Sequence, residues 1–214
     1  MPVRFSLKII VNAGFQMKNC YGIYKNVRTA SWECLLSFSD GRLPINISDI
    51  ALEANVKIIR NSSVNLLEIG EESASIFSDE QWFIVYNDEL SRSRCRFIVA
   101  HELGHIFLGH SLSVSLGSGD VRANDKCLER EAEMFASRLL QPACVLYALD
   151  IHTADEIVHL CDVPYDVAHY RAVRMKELYR RGKFLTSDYE KKVYDKFRDF
   201  IDMKNGEEMP PEVS

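Results

Sequence analysis

The chain has 214 residues, 47% of them hydrophobic and 27% charged, which is enough apolar side chain to bury a sizeable core and excludes disorder throughout. A formal net charge of -5 at pH 7 argues against a protein whose main task is to coat nucleic acid or an anionic membrane. The 6 Cys include no C-x-x-C pair and read as reduced, mostly buried thiols, while the apolar run at residues 7–11 is too short for a secretory or membrane segment, so a cytoplasmic location is expected.

Residues 1–22 read as a short strand or an irregular arm. Residues 24–38 have helical spacing, with Val27, Trp32, Leu35 and Leu36 available to one face, and Asp40-Gly41 ends them. Beyond Pro44, Ser48 is a candidate N-cap for a short helix that passes into a strand at 56–59. Residues 73–87 predict a hairpin: SASIF, the polar turn SDEQ, then WFIVYN, rich in aromatic and β-branched side chains. The resulting sheet is expected to be small and antiparallel.

From residue 90 the pattern becomes helical, and RFIVAHELGHIFLG is apolar almost all the way round, as a helix is when buried on every side. A loop at 117–119 separates it from a second helix, CLEREAEMFASRLLQ, which stops before Pro142. Three further helical stretches follow, ACVLYALDI, TADEIVHLCD and YDVAHYRAVRMKELYRR, the last two divided by Pro164. A charged helix over 187–204 gives way to a frayed, disordered tail at 205–214. The fold class predicted is α+β: a small antiparallel sheet packed on a buried helix and a second helix, with a helical C-terminal part.

His101-Glu102-Leu103-Gly104-His105 matches H-E-x-x-H on the buried helix, the context that gives the motif its meaning. At 3.6 residues per turn the two histidines stand about 40° apart on one face, so both imidazoles can reach one ion. Glu102 points about 100° away, placed to act as general base on a water at the metal. Burying three titratable groups in an apolar helix is costly unless something pairs with them, and a metal does.

A catalytic zinc site takes a third protein ligand. His110 is out of register for the metzincin pattern, because position 108 is Leu where Gly is needed and position 111 is Ser where His is needed; it reads as a helix-end or surface histidine. On the second helix Glu129, Glu131 and Glu133 compete. Glu129 lies about 60° from the centre of the face built by Leu128, Ala132, Phe135, Ala136, Leu139 and Leu140, and the other two lie about 100° away on opposite sides. Glu129 is thus the best-placed ligand, Glu133 is placed to accept a hydrogen bond from a ligand histidine, and Glu131 reads as a solvated glutamate.

RCRFIVAHELGHIFLGH, a loop, and EREAEMFASRLLQP together resemble the ImmA/IrrE family of metallopeptidases, whose pattern is R-x-x-x-A-H-E-x-G-H followed by E-x-E-A-x-x-F-A-x-x-L-L-x-P. The resemblance runs over about residues 43–175. It implies Zn²⁺ held by His101, His105 and Glu129, with Glu102 catalytic; Glu133 departs from the family's usual Asn or Asp. The organisation expected is an extension over 1–42, a zincin-like metallopeptidase domain over 43–150, a helical region over 151–204 and the tail.

The resemblance also implies limited proteolysis of one cytoplasmic protein partner, typically a helix-turn-helix repressor of a phage or other mobile element. Tyr165, His169 and Tyr170 are candidate oxyanion donors. Two readings compete. The stretch 153–178 has helix-turn-helix rhythm, and Arg171, Arg174, Lys176, Arg180, Arg181 and Lys183 give it a basic end, although direct nucleic-acid binding is not expected from an acidic chain. Alternatively the chain is a zinc-binding sensor or interaction module without peptidase activity of its own.

Overall fold

The hairpin forms where alternation predicts it. β2 (Ser73–Ser78) and β3 (Gln81–Tyr86) pair antiparallel, with Ser75 opposite Ile84 and Ser78 opposite Gln81. Asp79 and Glu80 both take positive φ, 50° and 60°, the backbone of a two-residue turn whose twist matches that of the strands. The third strand, β1 (Val56–Arg60), lies on the other side of β3 and runs parallel to it, with Ile58 opposite Ile84.

The sheet is therefore mixed rather than wholly antiparallel. After β1 the chain passes through a single turn of helix, α3 (Asn61–Val64), and the segment 65–72 to the far edge. It is then the second hairpin strand, not the first, that returns beside β1. β3 is central, and its Ile84 and Val85, on opposite faces, are both buried.

The computed structural model describes residues 20–110 and 121–207, of which 20–25, 121–125 and 207 are described by backbone alone. Residues 1–19 of the expected N-terminal arm, the glycine loop at 117–119 and residues 208–214 of the expected tail lie outside the described residues, whereas 20–22 already belong to a helix and 205–207 end one rather than fraying. The α+β class is observed. The remaining helices are α1 (Cys20–Phe38), α2 (Ile47–Glu53), α4 (Arg92–Leu108), α5 (Val121–Leu140), α6 (Ala143–Ala148), α7 (Ala154–Cys161), α8 (Tyr165–Arg181), α9 (Asp188–Lys196) and α10 (Arg198–Glu207). The charged C-terminal helix is thus two helices, divided at Phe197, which is fully buried.

Helix ends follow local chemistry. Asn46, not Ser48, caps α2: its side chain accepts from the Asp49 N–H at 3.4 Å and donates to the Asp49 carboxylate at 2.6 Å. Ser91 caps α4, and Thr153 with Glu156 closes a capping box on α7.

α4 lies across β2 and β3 and packs most extensively on α5. Phe135, Leu139 and Leu140 on α5 are fully buried, each worth about 1.5–3 kcal/mol of transfer from water. One cluster of buried side chains continues from there into α1, through Val27, Trp32, Cys34 and Leu35, and into the C-terminal helices, through Met175, Val193 and Phe197. Among the described residues, no helix is long and apolar enough to cross a membrane.

Candidate metal centre

Gly104 decides how closely the two helices approach. A methyl group there would stand 3.1 Å from the Ala132 Cα and 3.2 Å from its carbonyl oxygen, closer than packed atoms tolerate without displacement. With no side chain at 104 and only a methyl at 132, α4 and α5 come together one turn from Glu129 on one side and beside His101 and His105 on the other. The two helices thereby turn three donors toward one point.

The His101 and His105 Nε2 atoms are 3.0 Å apart. Glu129 Oε2 lies 3.1 Å from His101 Nε2, and Glu129 Oε1 lies 3.3 Å from His105 Nε2. Among the described residues these three form the group of possible metal ligands whose donor atoms all lie within 4.8 Å of one another. Both imidazoles are largely buried, while Glu129 is 58% exposed, so the point they share is reached from solvent on the Glu129 side.

Burial pushes the pKa of His101 below the histidine value of 6.5, and the Glu129 carboxylate pulls it back up. His105 is also lowered, first by burial and then by the neighbouring His101. Both effects favour the neutral ring, the form that carries a free lone pair.

Glu102 is buried, 7% exposed, and its Oε1 accepts a 2.8 Å hydrogen bond from the Ser73 hydroxyl at the start of β2. Ser73 is held in turn: its neighbour Glu72 makes a two-point ion pair with Arg94 on the first turn of α4, at 3.0 Å from Nε and 2.5 Å from Nη2. Arg96, on the next turn, donates to the carbonyls of Ile45 at 2.9 Å and Asp162 at 3.1 Å, tying α4 to the segment before α2 and to the turn after α7. A cavity of about 450 Å³ under this end of α4, lined by Arg60, Tyr86, Arg92 and Arg96 among others, shares no lining residue with the trio.

A family model for the M78 peptidases, described as the IrrE N-terminal-like domain, matches residues 53–173, more than half of the chain. The chain belongs to this family. The M78 match spans both helices of the trio and the whole hairpin, and the family is one of hydrolases of the metallopeptidase type. A search of the curated proteins found no match.

Two imidazole nitrogens and a carboxylate are a donor set zinc accepts in catalytic sites. Bonds of about 2.0–2.1 Å in a tetrahedron separate ligand atoms by roughly 3.3–3.4 Å. The imidazole nitrogens are 3.0 Å apart, and each lies 3.1 or 3.3 Å from one of the two Glu129 oxygens, so small side-chain adjustments suffice and the residues fit the ion.

The surroundings of the trio differ from the periodicity reading in three places. His110 stands just past the end of α4, as one reading has it, but is buried at 5% exposure rather than at the surface; its Nδ1 is 3.2 Å from His105 Nδ1 and its Nε2 is 3.1 Å from Glu131 Oε2. Glu131 is correspondingly buried at 8% rather than solvated. Glu133, expected behind a ligand histidine, is exposed, and its effect on His101 is through-space charge. The reason lies at Gly109, whose φ of 75° ends α4 and turns His110 back over a flank of α5 that its own periodicity assigns to solvent.

Tyr165, His169 and Tyr170 lie exposed on α8; Tyr165 stacks on His169 and His169 meets Tyr170 edge-on, each with ring centroids 6.3 Å apart. α7 and α8 pack against each other across the short turn at 162–164, but three of the six basic residues there are engaged within the chain. Arg171 is buried against the Gln141 carbonyl, and Arg180 and Arg181 pair with Glu177. Ser73 and Arg94 carry no signal by which sequence alone assigns them to the site, whereas sequence marks His110 and Glu131 as residues to weigh as ligands without making their contact with each other legible.

Proposed function

We propose that this M78 peptidase is a zinc-dependent endopeptidase that cleaves a protein partner in the cytoplasm, with His101, His105 and Glu129 as the metal ligands. The convergence of those three donors within 4.8 Å, beside the buried carboxylate of Glu102, supports the reading. When bound, zinc supplies Lewis acidity, which lowers the pKa of a water towards about 7 and polarises a peptide carbonyl.

The chain's own work is proton transfer and positioning. Glu102 takes the proton of the attacking water and delivers it to the departing amine. The Ser73 hydroxyl occupies one oxygen of that carboxylate, fixing its rotation and leaving the other oxygen to hold the proton. The helix pair holds both imidazoles and Glu129 in place before substrate arrives, so little reorganisation accompanies the reaction.

As substrate we propose a helix-turn-helix repressor of a phage or mobile element, on the strength of the resemblance to the ImmA/IrrE pattern. Two measurements test the proposal: metal content of the purified protein beside Glu129→Ala, and incubation with candidate repressors. One zinc per chain in the parent, lost in Glu129→Ala, together with cleavage by the parent, is expected. A parent that takes up no zinc when it is supplied, or that holds it and leaves every repressor intact, would sink the corresponding half.

A further inference from the structure

Behind His105 the donors and acceptors admit a definite order. Glu131 Oε2 lies 3.1 Å from His110 Nε2, and a carboxylate only accepts, so the proton in that contact sits on His110 Nε2. A neutral His110 then offers a bare lone pair at Nδ1, which lies 3.2 Å from His105 Nδ1. Two lone pairs facing each other at that distance repel, so the proton there belongs to His105 Nδ1. That leaves His105 Nε2 unprotonated, and Nε2 is the atom 3.0 Å from His101 Nε2 and 3.3 Å from Glu129 Oε1.

The chain is built into the core rather than laid on the surface. The side chains of His110 and Glu131 are 6% and 10% exposed, and the Cys127 thiol donates to the second carboxylate oxygen, Oε1, at 3.7 Å. With water excluded, neither partner finds a substitute, and the direction of the hydrogen bonds is set by the one group that cannot donate.

We infer that Glu131 and His110 form a proton-ordering relay that fixes the tautomer of His105, so that its Nε2 lone pair is presented to the metal. The inference rests on His105 being a metal ligand, as proposed above, with Nε2 the atom that faces the other two donors. Glu131 and His110 are positioning residues: neither touches the metal or the substrate.

Nitrogen-proton correlation spectra of the imidazole rings, recorded on the full-length protein with and without zinc, read the tautomers directly. His105 protonated at Nδ1 and His110 protonated at Nε2, in both forms, is the expected result; a proton on His105 Nε2 in the metal-free protein overturns the relay. Zinc affinity, measured by competition with a chromophoric chelator, supplies the second readout. His110→Phe, which keeps the ring volume and removes the acceptor, is expected to weaken zinc binding by about 10–100-fold. His110→Asn, whose amide oxygen can accept the same proton, recovers most of that loss. Equal affinity of parent and His110→Phe overturns the relay while leaving the zinc site standing. A parent that binds no zinc defeats the site reading, and the metal-free spectrum then still decides the relay. Should His110→Phe fail to fold, the parent spectrum decides it as well.

Discussion

Among the described residues, two places gather ionisable side chains in or beside the core, and they do so for different ends. At the α4–α5 crossing, two imidazoles and a carboxylate point their lone pairs at one another within 4.8 Å. At the far end of α5, Arg171 and Glu190 are buried at 8% and 6%, beside the fully buried Gln141. Here the charges compensate: Arg171 donates to the Gln141 carbonyl, Glu190 accepts from the Thr186 N–H at 3.0 Å, and the Arg28 and Arg171 charges both act on Glu190. Burial of titratable groups is thus common to both regions. What separates them is sign, since the first gathers acceptors that call for a cation and the second balances cation against anion.

The largest expected difference between the two regions is in chemistry. Glu102→Gln keeps the shape of the first cluster and removes its base, so peptide cleavage should fall by about 10²–10⁴-fold with zinc content unchanged. Steady-state kinetics beside elemental analysis check it, and undiminished cleavage would remove Glu102 from the mechanism.

Next comes geometry. Gly104→Val places a branched side chain where a single methyl already meets Ala132 at 3.1 Å, and it should cost about 1–3 kcal/mol in urea unfolding while lowering zinc occupancy as Glu129 is carried away. Its counterpart in the second cluster, Arg171→Met, should cost about 1–3 kcal/mol and leave zinc stoichiometry at the parent value. Loss of zinc in Arg171→Met would show that the two clusters are not independent.

A smaller effect is expected at Ser73. Ser73→Ala deletes one hydrogen bond to a charged group, about 1.5 kcal/mol, which converts to roughly a tenfold loss in kcat with zinc affinity unchanged. An equal fall in zinc affinity would instead mean that Ser73 supports the fold of the site.

The smallest effect sharpens the comparison through pH. Burial raises the pKa of Glu190 above the usual 4.5, against the opposing pull of the Thr186 N–H and of the Arg28 and Arg171 charges. The protonated form is therefore favoured by folding, and its contribution to stability is complete below 4.5 and lost as pH rises through the folded value. Glu190→Gln should match the parent near pH 4 and be the more stable of the two at pH 7, as thermal unfolding across that range will show. A gap that widens toward low pH would reverse the sign of this argument.

The local chemistry was legible from residue order. The helical period put His101 and His105 on one face, the apolar flanks marked α4 as buried, and the face of α5 singled out Glu129, the carboxylate that the structure brings to both imidazoles. Alternation and the SDEQ turn located the hairpin. Each of these signals lies within about two turns of chain, where backbone geometry alone relates one side chain to the next. The capping of α2 was misplaced by two residues, because Asn46 and Ser48 are both competent caps and their order gives no preference between them.

What residue order determined by itself is therefore the inventory of the site: which donors exist, and on which elements they ride. Only the tertiary structure decided what surrounds them. β1 runs parallel to β3 because a connection across the sheet, not any feature of VKIIR, sets its direction. Glu131 is buried because the turn at Gly109 lays His110 over it, and Ser73 meets Glu102 from 29 positions away because β2 lies across α4. Periodicity describes a helix against a uniform core, whereas contacts between distant segments depend on how the chain closes on itself, and no local window contains that information.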